Sequence, residues 1–206
     1  LVGNYAFMVG VTLYLIASDT VPASEPVGQI LLSGLALSGL LMSLCIPPFN
    51  HLLAGQRSTA RVNQMIGAVQ LARQAAISLN TTTTLCPAQD GVCLGRNQWH
   101  IGAMIFTDRN HNGTLENNET LVARLPRLDQ GERIYWRSFR NRNFLRFKAT
   151  GLTDWQNGHF LYCPPDGDPR YAREVILNAQ GRVRLAPDSD ADGVAEDARG
   201  RPLRCP

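Results

Sequence analysis

Two apolar runs open the chain. Residues 1–17 carry almost no polar side chains, 18–26 form a polar break holding Pro22 and Pro26, and 27–46 contain no charge at all. Seventeen residues is about the lower limit for spanning a bilayer, and about twenty is the usual length. The pattern therefore predicts an apolar leader or extra membrane segment over 1–26 and a membrane helix over 27–48. Ser33, Gly34, Ser38, Gly39 and Ser43 give the second run faces of small residues, which suit close helix–helix contact in lipid. Pro47 and Pro48 kink a helix without having to end it. From 49 to 80 the pattern turns amphipathic. Val62, Met65, Ile66, Val69, Ala72, Ala76 and Leu79 recur at spacings of three and four, while Arg61, Gln64, Arg73 and Gln74 fall elsewhere. Asn80 and the four threonines after it close the helix.

Beyond residue 85 the period shortens. Segments 98–106, 121–125, 133–136, 144–148, 159–163, 175–177 and 182–185 read as strands, most of them separated by Gly- or Pro-containing turns. In the first of these, Ile101, Ala103 and Ile105 alternate with Gly102, Met104 and Phe106, so both faces are apolar enough to be covered. The remainder, 81–206, reads as one antiparallel β-domain with a polar tail from Pro187. That tail is expected to be loose except where Cys205 anchors it. The fold class that follows is α+β.

Charge divides the chain unevenly. Arg57 is the first basic residue; before it stand only Asp19 and Glu25. Of 20 basic residues, Lys148 alone is lysine, and Arg suits bidentate contact with phosphate or carboxylate. Residues 120–186 hold 12 basic and 6 acidic side chains. Arg137, Arg140, Arg142, Arg146 and Lys148 lie among Trp136, Phe139, Phe144 and Phe147, and Arg182 and Arg184 take alternate positions. This composition makes DNA a candidate partner through phosphate neutralisation; solubility charges on edge strands, or salt-bridge partners for nearby Asp and Glu, are the alternative.

Two stretches have the oxygen spacing of a calcium loop. In the first, Asp108, Asn110, Asn112, Gly113 and Glu119 fall at positions 1, 3, 5, 6 and 12. A hairpin tip needs the same Asp, Asn and Gly residues. In the second, Asp188, Asp190 and Asp192 precede Gly193, with Glu196 following. Its three alternating carboxylates make it the chemically stronger calcium candidate, against the alternative of a solvated acidic tail. Four of the five cysteines lie in the polar part and allow three pairings. Cys86 and Cys93 bracket a short turn, which leaves Cys163 to tie Cys205 and the tail to the body. The absence of any Cys-x-x-Cys pair and the scatter of four His argue against zinc. No phosphate loop, nucleophile elbow or His-Glu-x-x-His pattern is present, so an enzyme is not expected and no cofactor is required.

The order of motifs resembles a known family. Ala72-Arg73-Gln-Ala-Ala-Ile77 leads to Thr84-Leu-Cys86, then Trp99-x-x-Gly102-x-x-x-Phe106-x-Asp108-x-Asn110-x-Asn112-Gly113. Phe147-x-x-x-Gly151, Gly158-x-Phe160-x-x-Cys163 and Gly181-Arg182-Val183-Arg184 follow. This succession is similar to the GspH/FimT family of type II secretion pseudopilins and type IV minor pilins. The resemblance implies a pilin-like fold, a long N-terminal helix followed by an antiparallel β-domain. It also implies a single-pass inner-membrane anchor, a periplasmic C-terminal domain, N-terminal methylation, and other pilins or pseudopilins as partners in a filament tip. Members serving DNA uptake use a Gly-Arg-x-Arg motif, which Gly181–Arg184 matches. The family's Gly-Phe-Thr-Leu-x-Glu processing motif is missing. Aligned on Pro47, its Glu falls at Ile30 and its cleavage Gly at Glu25, which leaves a prepilin peptidase without its recognition sequence.

Overall fold

The computed structural model describes residues 26–95, 97–139 and 142–206; at 26–32 and 40–50 only the backbone is described. The apolar segment up to residue 25 lies outside the described residues, as do most side chains of the run 27–46. The first helix, α1 (Pro26–Ser78), continues through Pro47 and Pro48. Among the described residues no helix is long and apolar enough to cross a membrane. The chain divides into two compact units, one ending at Leu53 and one spanning Ala54–Pro206.

In the second unit, α1 lies against two antiparallel sheets. The first contains β1 (Thr83–Gln89), β2 (Val92–Cys93), β3 (Ala103–Thr107), β4 (Leu121–Leu125) and β6 (Leu145–Phe147), in the order β2-β1-β3-β4 with β6 also on β1. The second contains β5 (Arg133–Ser138), β7 (Gly158–Cys163), β8 (Arg173–Leu177) and β9 (Val183–Leu185), in that order.

The apolar face read from the helix is the one that packs. Val62, Met65, Val69, Ala72 and Ala76 are buried, Ile66 packs at their edge, and Ala68 and Ala75 join them. Leu79 departs from the pattern: it stands exposed at the helix end, where the face has run past the sheet. Trp99, Trp136 and Phe160 form the aromatic centre of the core, with Trp136 stacked on Phe160 at 4.2 Å and Trp99 edge-on to Phe160 at 4.9 Å. Polar clamps flank this core. Arg61 donates to Glu132 (2.9 Å) and Asp129 (2.7 Å), and the Tyr162 hydroxyl donates to the other Glu132 oxygen (2.9 Å).

The central strand β1 is absent from the strands read in the sequence, because its polar start reads as loop. In the fold, Thr83 Oγ1 donates to the Ala72 carbonyl (2.7 Å) and Thr84 Oγ1 to Asp108 (2.6 Å), so both hydroxyls are satisfied inside the domain. The strand expected over 98–106 begins only at Ala103; Gln98–Ile101 is a turn closed by Ile101 N–H to the Gln98 carbonyl (3.0 Å).

The tail is also more ordered than its polarity suggests. Ala195 and Leu203 are buried with Ala172 and Ala186, against Leu161, Ile176 and Cys205. Leu203 N–H donates to the Ala195 carbonyl (2.8 Å), and Glu196 bridges Pro202. The segment is thus a short hairpin covering the outer face of the second sheet, with a few small apolar residues hidden among its charges. Disulfides join Cys86 to Cys93 and Cys163 to Cys205, and the second fixes the end of this hairpin to β7.

Candidate functional site

The two oxygen-rich loops share a backbone conformation. In the first, Asp108 accepts from Gly113 N–H (3.2 Å), Asn110 from Asn112 N–H (3.1 Å) and Asn112 from Thr114 N–H (2.8 Å). In the second, Asp188 accepts from Gly193 N–H (3.0 Å), Asp190 from Asp192 N–H (3.2 Å) and Asp192 from Val194 N–H (2.7 Å). The fourth residue of each is left-handed, His111 at φ 63 and Ala191 at φ 61, as is the following Gly. A distant Glu closes both: Glu119 accepts from Arg109 N–H (2.8 Å), and Glu196 from Ser189 N–H (2.7 Å).

Their interiors differ. Asp108 is fully buried, and its Oδ2 meets Arg146 Nη2 at 2.7 Å; the same Nη2 donates to the His111 carbonyl (2.9 Å). A guanidinium therefore supplies the positive charge at the base of this loop. Glu119 is taken up by backbone N–H groups of Arg109 and Glu116, while the Asn110 and Asn112 amides clasp Glu116. The side-chain oxygens of Asp108, Asn110, Asn112 and Glu119 thus all accept hydrogen bonds within the loop or from Arg146, the arrangement of the hairpin tip weighed against calcium. The cation that fills it comes from β6, 38 residues away in sequence.

No guanidinium or ammonium pairs with Asp188, Asp190, Asp192 or Glu196 among the described residues. These four offer carboxylate oxygens within 4.8 Å of one another, three from exposed residues and one from a buried one. This arrangement can hold a hard divalent cation.

The basic set separates as well. Arg182 and Arg184 are exposed on and beside β9. Arg142 is exposed and lies 5.8 Å from the Phe144 ring. Lys148 is half-exposed and pairs with Asp154 at 3.2 Å. Arg146 is 5% exposed and pairs with Asp108, which leaves it little surface to offer a nucleic acid. Arg140 lies outside the described residues.

The glycines of two motifs have a structural reason. A Cβ on Gly151 would stand 2.7 Å from Ile77 Cδ1, and one on Gly181 would stand 2.8 Å from Phe147. Both residues have left-handed φ (77 and 74), and both press against Arg73, whose Nε donates to the Gly151 carbonyl (3.0 Å). Phe147-x-x-x-Gly151 and Gly181-Arg182 thus dock the end of α1 onto the domain.

Sequence reading also missed Glu174, which adjoins neither motif nor turn. It is 3% exposed beneath the tail; one oxygen has no hydrogen-bond partner and the other lies 3.4 Å from His159 Nδ1. Burial first, and then the charge of Asp197, raises its carboxyl above the usual range. Burial and Arg137 lower His159. Asp197 itself is held down to about 2, chiefly by hydrogen bonds from Arg201.

A long helix whose second half is buried by a disulfide-bonded, two-sheet antiparallel domain is the plan of a pilin-like subunit. The family model described as type II transport protein GspH matches residues 61–181, more than half of the chain, and the chain belongs to that family. Among solved structures, the type IV minor pilin FimU of Pseudomonas aeruginosa PAO1 is similar at 20% identity. It covers 69% of this chain and 95% of its own, with a TM-score of 0.47. The minor pseudopilin EpsH from the type 2 secretion system of Vibrio cholerae is similar at 12% identity, over 64% and 98%, with a TM-score of 0.43. No curated protein matches. Membership makes the chain a structural pilin-like subunit, not an enzyme. Members of the family are inner-membrane-anchored periplasmic pseudopilins that assemble with other pilins in filaments.

Proposed function

We propose that the chain is a minor subunit of a type II secretion pseudopilus or a type IV pilus. In this reading 27–48 anchors it in the inner membrane as a single pass, the β-domain is periplasmic, and the first half of α1 packs into the filament tip. One observation carries the reading. Within Ala54–Pro206 the helix buries Ser58, Val62, Met65, Val69 and Ala72, while in the first unit Leu35, Leu37 and Leu52 of α1 stand exposed. Exposed leucines along one uncharged helical segment suit lipid or neighbouring helices. Leu37→Arg tests this in filaments sheared from cells. The expected result is loss of the subunit from the filament fraction with unchanged thermal unfolding of the β-domain. Undiminished recovery would overturn the reading.

A second reading, DNA binding during uptake, is favoured by Arg182 and Arg184, which are exposed and form no ion pair among the described residues. Gel shifts with Arg182→Gln and Arg184→Gln should show weaker binding and a shallower salt dependence, by about one unit of slope per phosphate contact removed. Equal shifts in variants and parent would remove it.

The four clustered carboxylates favour calcium at the Asp188 loop as a stabiliser of the tail hairpin. Calorimetric titration should then give heat with the parent and none with Asp190→Asn/Asp192→Asn; equal heats in both would exclude the loop.

A further inference from the structure

We propose that Trp155 is a stacking platform for the bases of single-stranded nucleic acid, mounted beside the Arg182–Arg184 strand. The proposal rests on the DNA-binding reading and adds to it the form of nucleic acid and the residue that selects that form.

Trp99 and Trp136 are each 2% exposed and belong to the core, whereas Trp155 is 70% exposed. Its backbone is left-handed at φ 58, a conformation that bulky side chains rarely adopt and that surrounding structure must enforce. The enforcement is visible on both sides. Asp154 N–H donates to the Arg146 carbonyl (2.9 Å), and its carboxylate reaches Lys148 at 3.2 Å and Arg146 at 3.8 Å. Gln156 is 2% exposed; its side chain accepts from Arg146 N–H (2.6 Å) and donates to the Phe144 carbonyl (3.1 Å). The two anchors hold the backbone on either side of Trp155, whose indole stands in solvent.

The mount is joined to the basic strand. Thr153 donates to the Ala179 carbonyl through both N–H (3.1 Å) and Oγ1 (3.0 Å). Ala179 lies in the turn closed by Asn178 N–H to the Arg182 carbonyl (3.1 Å). Trp155 is two residues beyond Thr153, so the indole and the Arg182 guanidinium belong to adjoining loops at one end of the domain.

The surroundings select the ligand. Lys148 Nζ stands 5.9 Å from the indole centroid, and Leu152 is exposed on the same loop. Lys148 pairs with the nearby Asp154 (3.2 Å) and Arg146 with Asp108 (2.7 Å), which leaves Arg182 and Arg184 as cations without an ion pair at this end, among the described residues. An exposed indole on a loop adjoining a strand with two exposed guanidiniums matches a partner that carries phosphates and unstacked bases together. Duplex DNA offers the phosphates but keeps its base faces stacked. A protein partner would have to bring carboxylates to Arg182 and Arg184 as well as an apolar face to the indole.

The test uses the full chain in detergent micelles with a fluorescein-labelled oligothymidylate and the corresponding duplex, followed by anisotropy and by tryptophan fluorescence. The parent should prefer the single strand, with binding quenching the emission of the exposed indole. Trp155→Ala should bind about 5- to 150-fold more weakly, the range measured for loss of one stacked base, with its salt dependence and melting unchanged. Trp155→Phe should retain most of the affinity. Arg182→Gln/Arg184→Gln should instead flatten the salt dependence. If Trp155→Ala matches the parent while the arginine variant weakens, the arginine reading stands and the platform is overturned. Absence of binding by the parent overturns both. Preference for duplex, or loss from filaments on Trp155→Ala with oligothymidylate binding intact, assigns the indole to another partner and overturns the proposal.

Discussion

The Asp108 and Asp188 loops are one turn built twice, and what lies beneath each decides its chemistry. Both fold their first, third and fifth side chains back onto backbone N–H groups, and both place a Glu across the opening. Under the first, β6 delivers a buried guanidinium; under the second, no basic side chain pairs with the four carboxylates among the described residues. A loop's acidic spacing therefore encodes a conformation, and the sheet beneath determines whether the negative charge is already balanced. Asp108 is consequently built into the core beneath an otherwise exposed loop, while the second loop keeps four clustered carboxylates that can hold a cation.

Removing the internal cation gives the largest test of this contrast. Arg146→Met leaves Asp108 buried without its partner, and breaking one member of a buried pair costs about 3–5 kcal/mol. Chemical denaturation should show that loss, with the midpoint falling and the slope unchanged. A change under 1 kcal/mol would mean that the Asp108 loop does not depend on Arg146.

The second loop depends on the disulfide that pins its hairpin. Cys163→Ser/Cys205→Ser should lower stability by about 2–4 kcal/mol and abolish any calcium response, while the Asp108 loop keeps its protection from hydrogen exchange. A calcium response surviving in that variant would show that the loop folds without the strap.

Calcium itself should act on one loop only. If the Asp188 loop binds as weakly as extracellular modules do, with Kd about 0.1–1 mM, then about 10 mM calcium adds roughly 1.4–2.7 kcal/mol. Thermal unfolding should register this as a rise of several degrees, absent in Asp190→Asn/Asp192→Asn and unaffected by Asn112→Asp. A shift that follows Asn112→Asp would relocate the ion to the first loop.

The smallest effect concerns Glu174, under the tail that carries the second loop. Its folded pKa is raised, so the native state binds its proton more tightly than the unfolded state does. That contribution is fully present below the ordinary carboxylate value of 4.5 and is lost as pH rises through the folded value. Glu174→Gln should therefore stabilise the protein slightly at pH 7 and have no such benefit at pH 4, read as a small rise in melting temperature at the higher pH alone. Equal melting of parent and variant at both pH values would remove Glu174 as a source of pH dependence.

Elements written in local periodicity were legible in the sequence. The buried face of α1 from Val62 to Ala76 and the strand Leu121–Leu125 stand where spacing and alternation put them. The amphipathic pattern is set by a rotation per residue that nearby residues share. β1 was illegible for the opposite reason. Its threonines look like a loop until Ala72 and Asp108, brought from other elements, satisfy their hydroxyls. The tail misled in the same way, because Ala195 and Leu203 are too sparse to register as a core segment before the second sheet lies beneath them.

The sequence by itself determined the order of elements, the cysteine supply, the two turn-forming loops and the family, because each is carried by residue type at short spacing. Only the tertiary structure decided that Arg146 neutralises Asp108 instead of facing solvent. It also decided that Glu174 is buried and that Trp155 is held outward. Each of these depends on the meeting of segments tens of residues apart, and spacing along the chain carries no information about which charge or cavity arrives from the other side.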